Sequence, residues 1–354
     1  MNSDAVFDCL VLGLGPAGSS FLRLAPPSLR LAALSAPPGP LGKPCGGLLS
    51  PDAQAQLARQ GLNLPKELLV SPQIFAVHTL DLGSGRSRHY QRSYVNMDRA
   101  RFDAWLLSLV PERVQRFQGR AQQIRRLENG LFQVEYRNAR AERGLLWARR
   151  LVGADGAASL VRSSLFRGRR ARGFASIQQW FPQAQSTPFY ACIFDAETSP
   201  ACSWAVSKDG MLLFGGAFPQ SGCRARFERQ KQKLLALGWE LSQPRHTQAC
   251  RVLCPASPRD FCLGGGDAFL LGEAAGFISP SSLEGISWAL RSAEALARAF
   301  SQADPLDAYA RATLGLRLEL LAKRGKRPFM YHPLLRDLVL RSGLSSLSLL
   351  ENPR

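Results

Sequence analysis

The chain contains no uncharged apolar run close to the ~18 residues that a membrane-spanning helix needs, which argues against a transmembrane segment. It also contains no C-x-x-C pair, and Cys250 with Cys254 is too isolated to indicate a zinc site. The four histidines stand alone, without the spacing of a metal centre or a catalytic triad. We therefore predict no metal site and assign no catalytic histidine.

Acidic residues are scarce: 27 Asp and Glu stand against 45 Lys and Arg, a formal net charge of +18. In residues 137–173, ten arginines accompany only Glu142 and Asp155. Clustered arginine can bind nucleic acid, attract an anionic cofactor, substrate or membrane surface, or form a solvated basic face. No recognition helix, RNA-binding aromatic signature or zinc finger is visible, so we expect no nucleic-acid partner. An anionic small-molecule substrate and peripheral membrane contact stay open.

What the chain does contain suits a globular protein with a real core: 354 residues, 45% hydrophobic and 20% charged. The N-terminal stretch carries Asp4 and Asp8 and no basic leader, so we expect a cytoplasmic protein. The eight cysteines fit that compartment as free thiols.

The hydrophobic pattern predicts an α/β protein. Apolar runs at residues 5–12 and 29–34 flank a short helical stretch, which is a β-α-β unit. Residues 74–82 and 86–94 indicate a hairpin, and residues 176–218 indicate antiparallel strands. A periodic helix follows from near Leu283, and residues 305–350 form a basic helical tail.

The segment "GLGPAG" (Gly13, Gly15, Pro16, Ala17, Gly18) follows the first strand and opens the helix, as a dinucleotide-binding fingerprint requires. Its glycines allow a tight turn, the approach of a pyrophosphate and close helix–strand packing, and the helix N-terminus presents free N–H groups. The acidic residue that usually grips the ribose about 20 residues on is missing. Ser35 stands at the end of the second strand, and its neutral hydroxyl would bind more weakly.

Two later segments place polar residues at strand ends: "LVGADGAASLVR" with Asp155 and Gly156, and "FLLGEAAGFISPSSLEGISWAL". The second segment contains Gly272, Glu273, Gly276, Pro280 and Gly285. With the fingerprint, these segments in this order resemble the FAD-dependent oxidoreductases that include the aromatic hydroxylases and the geranylgeranyl reductases. Most of residues 5–300 is similar to the bacterial CbrA family.

That resemblance implies a Rossmann-like FAD-binding domain of hydroxylase type, an antiparallel substrate sheet and a helical C-terminal tail. It implies the FAD-binding domain at residues 1–73, 95–175 and 255–300, the substrate domain at 74–94 and 176–254, and the tail at 301–354. Glu273 replaces the family's usual aspartate and would reach a ribityl or ribose hydroxyl. "RARFDAWL" resembles a helix of the family whose arginine, here Arg99, contacts the flavin nucleotide.

"KPCGG" (Cys45, Gly46, Gly47) resembles the Cys-Gly-Gly that geranylgeranyl reductases carry beside the flavin ring. Because packing alone would not need two adjacent glycines, we expect Cys45 to face the ligand and to be catalytic, and a gap-filling thiol is the alternative. A ligand-facing thiol would hold substrate or donate a proton to a carbon that receives hydride. Trp204 matches a tryptophan of the family's substrate cavity, although plain core packing is an equal alternative. Ser281 and Glu284 would form a capping box whose helix points its positive end at the flavin.

The sequence therefore predicts an FAD-dependent oxidoreductase that reduces an unsaturated small molecule, with NADH or NADPH as electron donor. Two alternatives stay open. One is a monooxygenase that hydroxylates an aromatic or similar substrate through a flavin hydroperoxide, and the other is a flavin-binding resistance or sensor protein without rapid turnover.

Overall fold

A computed structural model describes residues 6–37, 42–168, 171–183 and 186–347. The strands within these residues are β1 (Val6–Leu12), β2 (Leu31–Ser35), β3 (Leu48–Leu49), β4 (Ile74–Asp81), β5 (Ser87–Asn96), β6 (Gln115–Gln118), β7 (Arg120–Arg126), β8 (Phe132–Arg137), β9 (Arg143–Gly153), β10 (Gly173–Pro182), β11 (Phe189–Phe194), β12 (Ser203–Lys208), β13 (Met211–Phe218), β14 (His246–Leu253), β15 (Gly264–Gly265), β16 (Ala268–Leu270) and β17 (Ser346–Leu347).

The α-helices are concentrated towards the C-terminus, where six of the described helices follow one another between β16 and β17. The helices are α1 (Pro16–Leu24), α2 (Pro51–Arg59), α3 (Arg99–Ser108), α4 (Leu160–Leu165), α5 (Cys223–Ala236), α6 (Gly272–Ala275), α7 (Ile286–Ala299), α8 (Pro305–Ala312), α9 (Leu314–Arg324), α10 (Arg327–Tyr331) and α11 (Pro333–Ser342). None of the described helices is long and apolar enough to cross a membrane.

The chain divides into two compact units. Unit one comprises Met1–Gly42, Ala100–Arg172 and Leu253–Ala322, and unit two comprises Lys43–Arg99, Gly173–Val252 and Lys323–Arg354. The expected boundaries had assigned residues 43–73 to the FAD-binding domain and 301–354 to a separate tail. In the structure, residues 43–99 group with the second sheet because β3 and β4 both pair with β5. The C-terminal region is shared between the two units.

Unit one is built on a sheet in the order β15-β16-β9-β1-β2-β6, with β7 and β8 attached beside β9. β1 is parallel to both β2 and β9, and β16 is parallel to β9. A central parallel strand is buried on both faces, which explains why β1 is an apolar run and does not alternate. Helices α1 and α7 pack together within this core, and the ring of Phe21 meets that of Phe300 at 5.1 Å.

Unit two is built on a second sheet in the order β14-β10-β13-β12-β11-β4-β5-β17. Neighbours from β10 to β11 are antiparallel, as expected, whereas β11 and β4 are parallel. The turn between β12 and β13 places Asp209 and Gly210 at φ 47° and 76°, as a tight hairpin turn requires. Helix α5 covers one face of this sheet, where Phe227 packs on Phe214 and Phe218.

One local prediction is wrong: no capping box opens the helix after the late motif. α7 begins at Ile286, with Gly285 as its N-cap and no side-chain cap. Residues 279–284 instead form a tight loop, because Ser279 N–H donates to the Glu284 carbonyl and Leu283 adopts φ 57°. A backbone turned in this way cannot start a helix at Leu283.

Candidate functional site

Four parallel strands of unit one end at the same edge of the sheet, and each predicted cofactor-binding segment follows one of them. Gly13 follows β1, Ser35 ends β2, Asp155 follows β9 and Gly272 follows β16. The chain leaves β1 towards β2 on one side and reaches β9 on the other, which makes this edge a topological switch point. Crevices at such points are where open α/β sheets bind ligands.

The three fingerprint positions are occupied by glycine for different structural reasons. A Cβ on Gly13 (φ 98°) would stand 2.5 Å from the Ala154 carbonyl oxygen, and one on Gly18 would stand 1.9 Å from the Gly13 carbonyl oxygen. Both positions are therefore closed by backbone packing. At Gly15, by contrast, no described atom beyond its chain neighbours lies within 4 Å of where a Cβ would stand. The protein itself leaves space at Gly15, directly before Pro16 and Ala17 open α1.

Asp155 is a buried carboxyl group with one uncompensated oxygen. Its Oδ2 accepts hydrogen bonds from the N–H groups of Leu160 at 2.7 Å and Val161 at 3.4 Å. Its Oδ1 is buried and has no hydrogen-bond partner among the described residues. Burial raises the pKa of Asp155, in spite of these hydrogen bonds. Next to it, Gly156 adopts φ 72°.

The late motif packs directly against the fingerprint. A Cβ on Gly272 (φ 52°) would stand 2.9 Å from the Cβ of Ala17, so the two segments share one surface. Glu273 Oε1 accepts a hydrogen bond from Leu253 N–H at 2.9 Å, which ties this carboxylate to the end of β14. Gly276 (φ 95°) is needed because a Cβ there would lie 3.0 Å from the Asp260 carbonyl oxygen.

The two remaining predicted residues of this segment lie before α7. The Pro280 carbonyl accepts from the thiol of Cys254 at 3.6 Å. A Cβ on Gly285 would make only ordinary contacts with Ile278, at 3.8 Å. Gly285 is therefore not required by packing, unlike the other glycines of the segment.

Sequence reasoning gave no role to Arg162, which joins two of these segments. Its guanidinium is buried and donates to the carbonyls of Ala274 at 3.0 Å and Asp260 at 2.7 Å. The α4 residue thereby fixes the backbone that follows β16 relative to the segment after β9. A lone charged residue, the arginine of "SLVRSSL", was the available signal, because a buried charge needs partners.

The Cys-Gly-Gly segment lies in unit two and has its own internal geometry. Gly47 N–H donates to Cys45 Sγ at 3.4 Å, and the Gly47 carbonyl accepts from Lys208 Nζ at 3.1 Å. Gly47 adopts φ 62°, and a Cβ there would stand 2.6 Å from both Lys208 Nζ and the Met97 carbonyl oxygen. The expectation that packing would not need both glycines is therefore wrong for Gly47.

Lys208 is a second residue that sequence reasoning missed. Its ammonium is buried and also donates to Asn96 Oδ1 at 2.6 Å and the Met97 carbonyl at 2.9 Å. Three acceptors match its three protons. Burial lowers the pKa of Lys208 to about 8, against the opposing charges of Cys45, Asp98 and Asp209. Arg99 begins α3 two residues after Met97, so it starts from the backbone that Lys208 holds.

Trp204 lies on the face of the second sheet opposite α5, and the Cys-Gly-Gly segment packs against it. A Cβ on Gly46 would be 3.7 Å from Trp204 Cδ1. Gly215 pairs with both Trp204 and Gln178 on the neighbouring strands. A Cβ on Gly215 would lie 2.8 Å from each of these side chains, so only glycine leaves room for both. Trp204 Nε1 and Gln178 Oε1 are both buried without a hydrogen-bond partner among the described residues.

The orientation of the Gln178 amide follows from its neighbours. The indole N–H of Trp180 can only donate, and it reaches Gln248 Oε1 at 3.4 Å. Gln178 therefore turns its Nε2 to the same oxygen, at 2.7 Å. Its own oxygen is left without a donor, so the side chains on both sides of Gly215 each carry one unused buried polar atom.

The structure thus brings the predicted residues together in two groups. Unit one carries Gly13, Gly15, Pro16, Ala17, Gly18, Ser35, Asp155, Gly156, Gly272, Glu273, Gly276, Pro280 and Gly285, and unit two carries Cys45, Gly46, Gly47, Arg99 and Trp204. Their binding roles stay predictions. In the described residues no group of three or more His, Cys, Asp or Glu is placed to hold a metal ion.

Comparison with known proteins gives full-length relatives. The chain is 43% identical to Protein CbrA of Escherichia coli O9:H4 over 353 residues, which cover 98% of this chain and 96% of that protein. It is 42% identical to Protein CbrA of Escherichia coli K12 over 352 residues, covering 98% and 99%. The chain belongs to the CbrA family. This confirms the resemblance drawn from the sequence motifs, whereas no protein-family profile matches the chain.

Solved structures show the fold of this CbrA-family chain. A geranylgeranyl bacteriochlorophyll reductase-like protein from Thermoplasma acidophilum matches with a TM-score of 0.69 at 19% identity, covering 97% of this chain and 88% of that one. A triple mutant of the flavin-dependent brominase Bmp2 matches with a TM-score of 0.72 at 16% identity, covering 95% and 93%. The p-nitrophenol 4-monooxygenase PnpA from Pseudomonas putida matches with a TM-score of 0.66 at 17% identity, covering 97% and 99%. The predicted fold class is confirmed.

Proposed function

We propose that this CbrA-family chain is an FAD-dependent oxidoreductase that reduces an unsaturated small molecule. The observation that carries the proposal is the edge of the first sheet, where the fingerprint, Ser35, Asp155 and the late motif meet at the ends of four parallel strands. Structural neighbours support it: the brominase Bmp2 and the halogenase CmlS are flavin-dependent, and the protein from Thermoplasma acidophilum is reductase-like.

The residues at this edge fit FAD on two structural counts. The space at Gly15 and the N-terminus of α1, which has no side-chain cap, would accept a pyrophosphate. Helix N-termini bind such groups through their N–H groups. The buried Oδ1 of Asp155 lacks a donor, and a hydroxyl of the ribityl chain or ribose would supply one. Leaving such an oxygen unpaired costs about 1–3 kcal/mol, so a bound group that pairs it is stabilised.

When bound, FAD would supply hydride to one carbon of a C=C bond and take electrons in turn from NADH or NADPH. Cys45 would donate a proton to the second carbon, so that one hydride and one proton, together two electrons and two hydrogens, saturate the bond. Its thiolate would then regain a proton from water. The Gly47 N–H that already bonds Cys45 Sγ at 3.4 Å orients the thiol.

Trp204 and Gln178 would orient the substrate on the second sheet. The unused Trp204 N–H is a donor and the unused Gln178 oxygen is an acceptor. A single hydroxyl group can satisfy both, because it accepts and donates at once. We therefore propose a substrate that carries a hydroxyl group, held between these side chains.

The first test is FAD binding. Purified protein should be yellow and release FAD on denaturation, and Gly15→Val should abolish binding because a side chain there blocks the pyrophosphate. Gly168→Val is a matched control: its Cβ also meets no described atom within 4 Å, so both variants, freed of FAD, should keep the melting temperature of the FAD-free parent. Protein that fails to take up FAD, or equal loss in both variants, would refute the cofactor assignment.

The second test separates reduction from hydroxylation. The substrate for this test is any small molecule that co-purifies with the protein. Cys45→Ala and Cys45→Ser should retain FAD and lower turnover of this substrate by at least ~10-fold if the chain is a reductase. The reaction is run under labelled oxygen in parallel. Label in the product together with an active Cys45→Ala variant would identify a monooxygenase, which the PnpA match would favour. Absence of NADH or NADPH consumption would leave a flavin-binding resistance or sensor protein.

A further inference from the structure

The last two helices of unit two expose large apolar side chains. We define the C-terminal apolar face by five residues of α10, α11 and the turn after it. Their exposed fractions are 57% for Phe329, 76% for Leu334, 65% for Leu338, 41% for Val339 and 77% for Leu344. Most exposed large apolar side chains in the described residues lie between positions 314 and 347. Exposed apolar clusters of this kind mark interaction sites more often than single exposed leucines do.

Helix α11 departs from the usual amphipathic pattern, because two of its leucines lie on the outside and a charged residue lies on the buried side. At 100° per residue, Leu334 and Leu338 share one side of the helix, and Arg336 and Leu340 share the other. The buried side holds the charge: Arg336 is 4% exposed and donates to Asp81 Oδ1 at 2.9 Å. The same guanidinium lies 5.1 Å from the centre of the Phe194 ring.

A second ion pair holds the same helix to the sheet. Asp337 accepts from Arg86 of unit two at 2.8 Å. A buried ion pair is a weak source of stability, because desolvation offsets most of its attraction. Packing the leucines inward would stabilise unit two more. Helix α11 is thus anchored by Leu340 and two ion pairs while Leu334 and Leu338 stay outside, and this exposure is explained by what these two leucines contact.

The charge around this face selects an anionic partner. Residues 323–347 contain one acidic residue, Asp337, and six basic ones. Arg336 is buried against Asp81, Arg341 pairs with Asp337 at 2.7 Å and Lys323 with Asp52 at 3.3 Å. Lys326 is exposed and adds positive charge to this part of the surface. The outer side of α11 also lacks the Tyr, Trp, Asn and Gln side chains that protein interfaces use for specific hydrogen bonds. Apolar side chains with a basic rim are what an anionic membrane interface binds.

We propose that the C-terminal apolar face attaches this protein peripherally to anionic lipid bilayers. Phe329, Leu334 and Leu338 enter the boundary between headgroups and acyl chains, while the basic residues contact lipid phosphates. This assignment does not rest on the proposed enzymatic function. It concerns side chains of unit two only.

Co-sedimentation with vesicles tests the proposal. The full chain should bind vesicles of equal parts phosphatidylcholine and phosphatidylglycerol and should bind pure phosphatidylcholine at least ~10-fold more weakly. Its affinity should fall as salt is raised from about 0.1 to about 0.5 M, because salt screens the attraction between basic side chains and lipid phosphates. The double variant Leu334→Ser/Leu338→Ser should bind at least ~10-fold more weakly, and Lys326→Glu about fivefold more weakly.

Leu237→Ser is the matched control, because Leu237 is 59% exposed in unit two but lies outside this face. It should bind vesicles as the parent does, and all variants should keep the parent's melting temperature. No binding to anionic vesicles, unchanged binding of the double leucine variant, or equal loss in Leu237→Ser overturns the proposal. So does a dimer, seen by light scattering, that the double variant converts to monomer while vesicle binding is absent.

Discussion

The two glycines after Cys45 show how adjacent, identical residues have unrelated causes. Gly47 combines a left-handed backbone with a Cβ position that Lys208 and the Met97 carbonyl already occupy. Gly46 has neither restriction and makes only an ordinary contact with Trp204. The second glycine of the Cys-Gly-Gly motif is therefore explained by packing around the buried Lys208. Only Gly46 keeps the open approach that a ligand at Cys45 would use.

This difference gives a prediction at the residue scale. Gly47→Ala should lower the free energy of unfolding by about 2 kcal/mol or more, because alanine is strained at this φ and clashes with backbone. Gly46→Ala should change it by less than about 0.5 kcal/mol, as substitutions without such a feature usually do. Chemical denaturation of both variants measures the contrast. Equal stabilities would show that Lys208 does not hold this loop as described.

At the scale of elements, the hairpin of β4 and β5 contains a stacked histidine pair. His78 and His89 face each other across the strands with ring centres 4.4 Å apart. Phe189 of β11 lies 4.8 Å from His89. Burial and the neighbouring His89 lower the pKa of His78 to about 4, and burial lowers that of His89. Both rings are therefore neutral in the folded hairpin near neutral pH.

Acid should destabilise this hairpin in a defined window. Because the folded pKa of His78 lies below its ordinary value of 6.5, the unfolded chain binds more protons between about pH 4 and 6.5. The free energy of unfolding should therefore fall as pH drops through that window. His78→Phe should reduce this slope, whereas His246→Asn, at an exposed histidine of unit two, should retain it. Urea titrations at several pH values measure the slopes, and an unchanged slope in His78→Phe would contradict the assignment.

At the scale of the whole molecule, the basic charge has mixed uses. Within residues 137–173, Arg162 is a buried structural group and Arg150 lies over the Phe300 ring at 5.3 Å. Arg143 pairs with Glu135 at 2.7 Å. Arg137 and Arg140 are exposed. Fewer arginines are therefore free to attract anions from solvent than the count of ten arginines indicates.

The salt dependence of the reaction tests this remaining field. If exposed arginines steer NADPH or an anionic substrate, the apparent association rate should fall as ionic strength rises above physiological levels. Stopped-flow reduction by NADPH measures it, and Arg137→Gln/Arg140→Gln should show a weaker dependence than the parent. Rates independent of salt would identify a solvated basic face. Steeply salt-dependent binding to random duplex DNA would instead indicate a nucleic-acid partner.

The strands that sequence analysis missed are those with the weakest apolar signal. β7 ("RAQQIRR") has one buried position, Ile124, and forms the outer part of the β7–β8–β9 meander. Most of its side chains are exposed, so no alternation marks it. β3 has only two residues and exists because Leu48 and Leu49 pair with β5, almost fifty residues away. That pairing also decides which unit contains Cys45.

What the sequence by itself determined is that the predicted cofactor-binding segments meet at one edge of the first sheet. Local rules suffice there, because apolar strands end on glycines whose φ values and close contacts forbid other residues, and consecutive β-α-β elements bring those ends to one edge. Only the tertiary structure decided that Lys208 packs against Gly47, that Trp204 and Gln178 each bury an unused polar atom beside Gly215, and that α11 exposes Leu334 and Leu338. Each of these depends on groups far apart in the chain, whose burial and charge pairing no local pattern encodes.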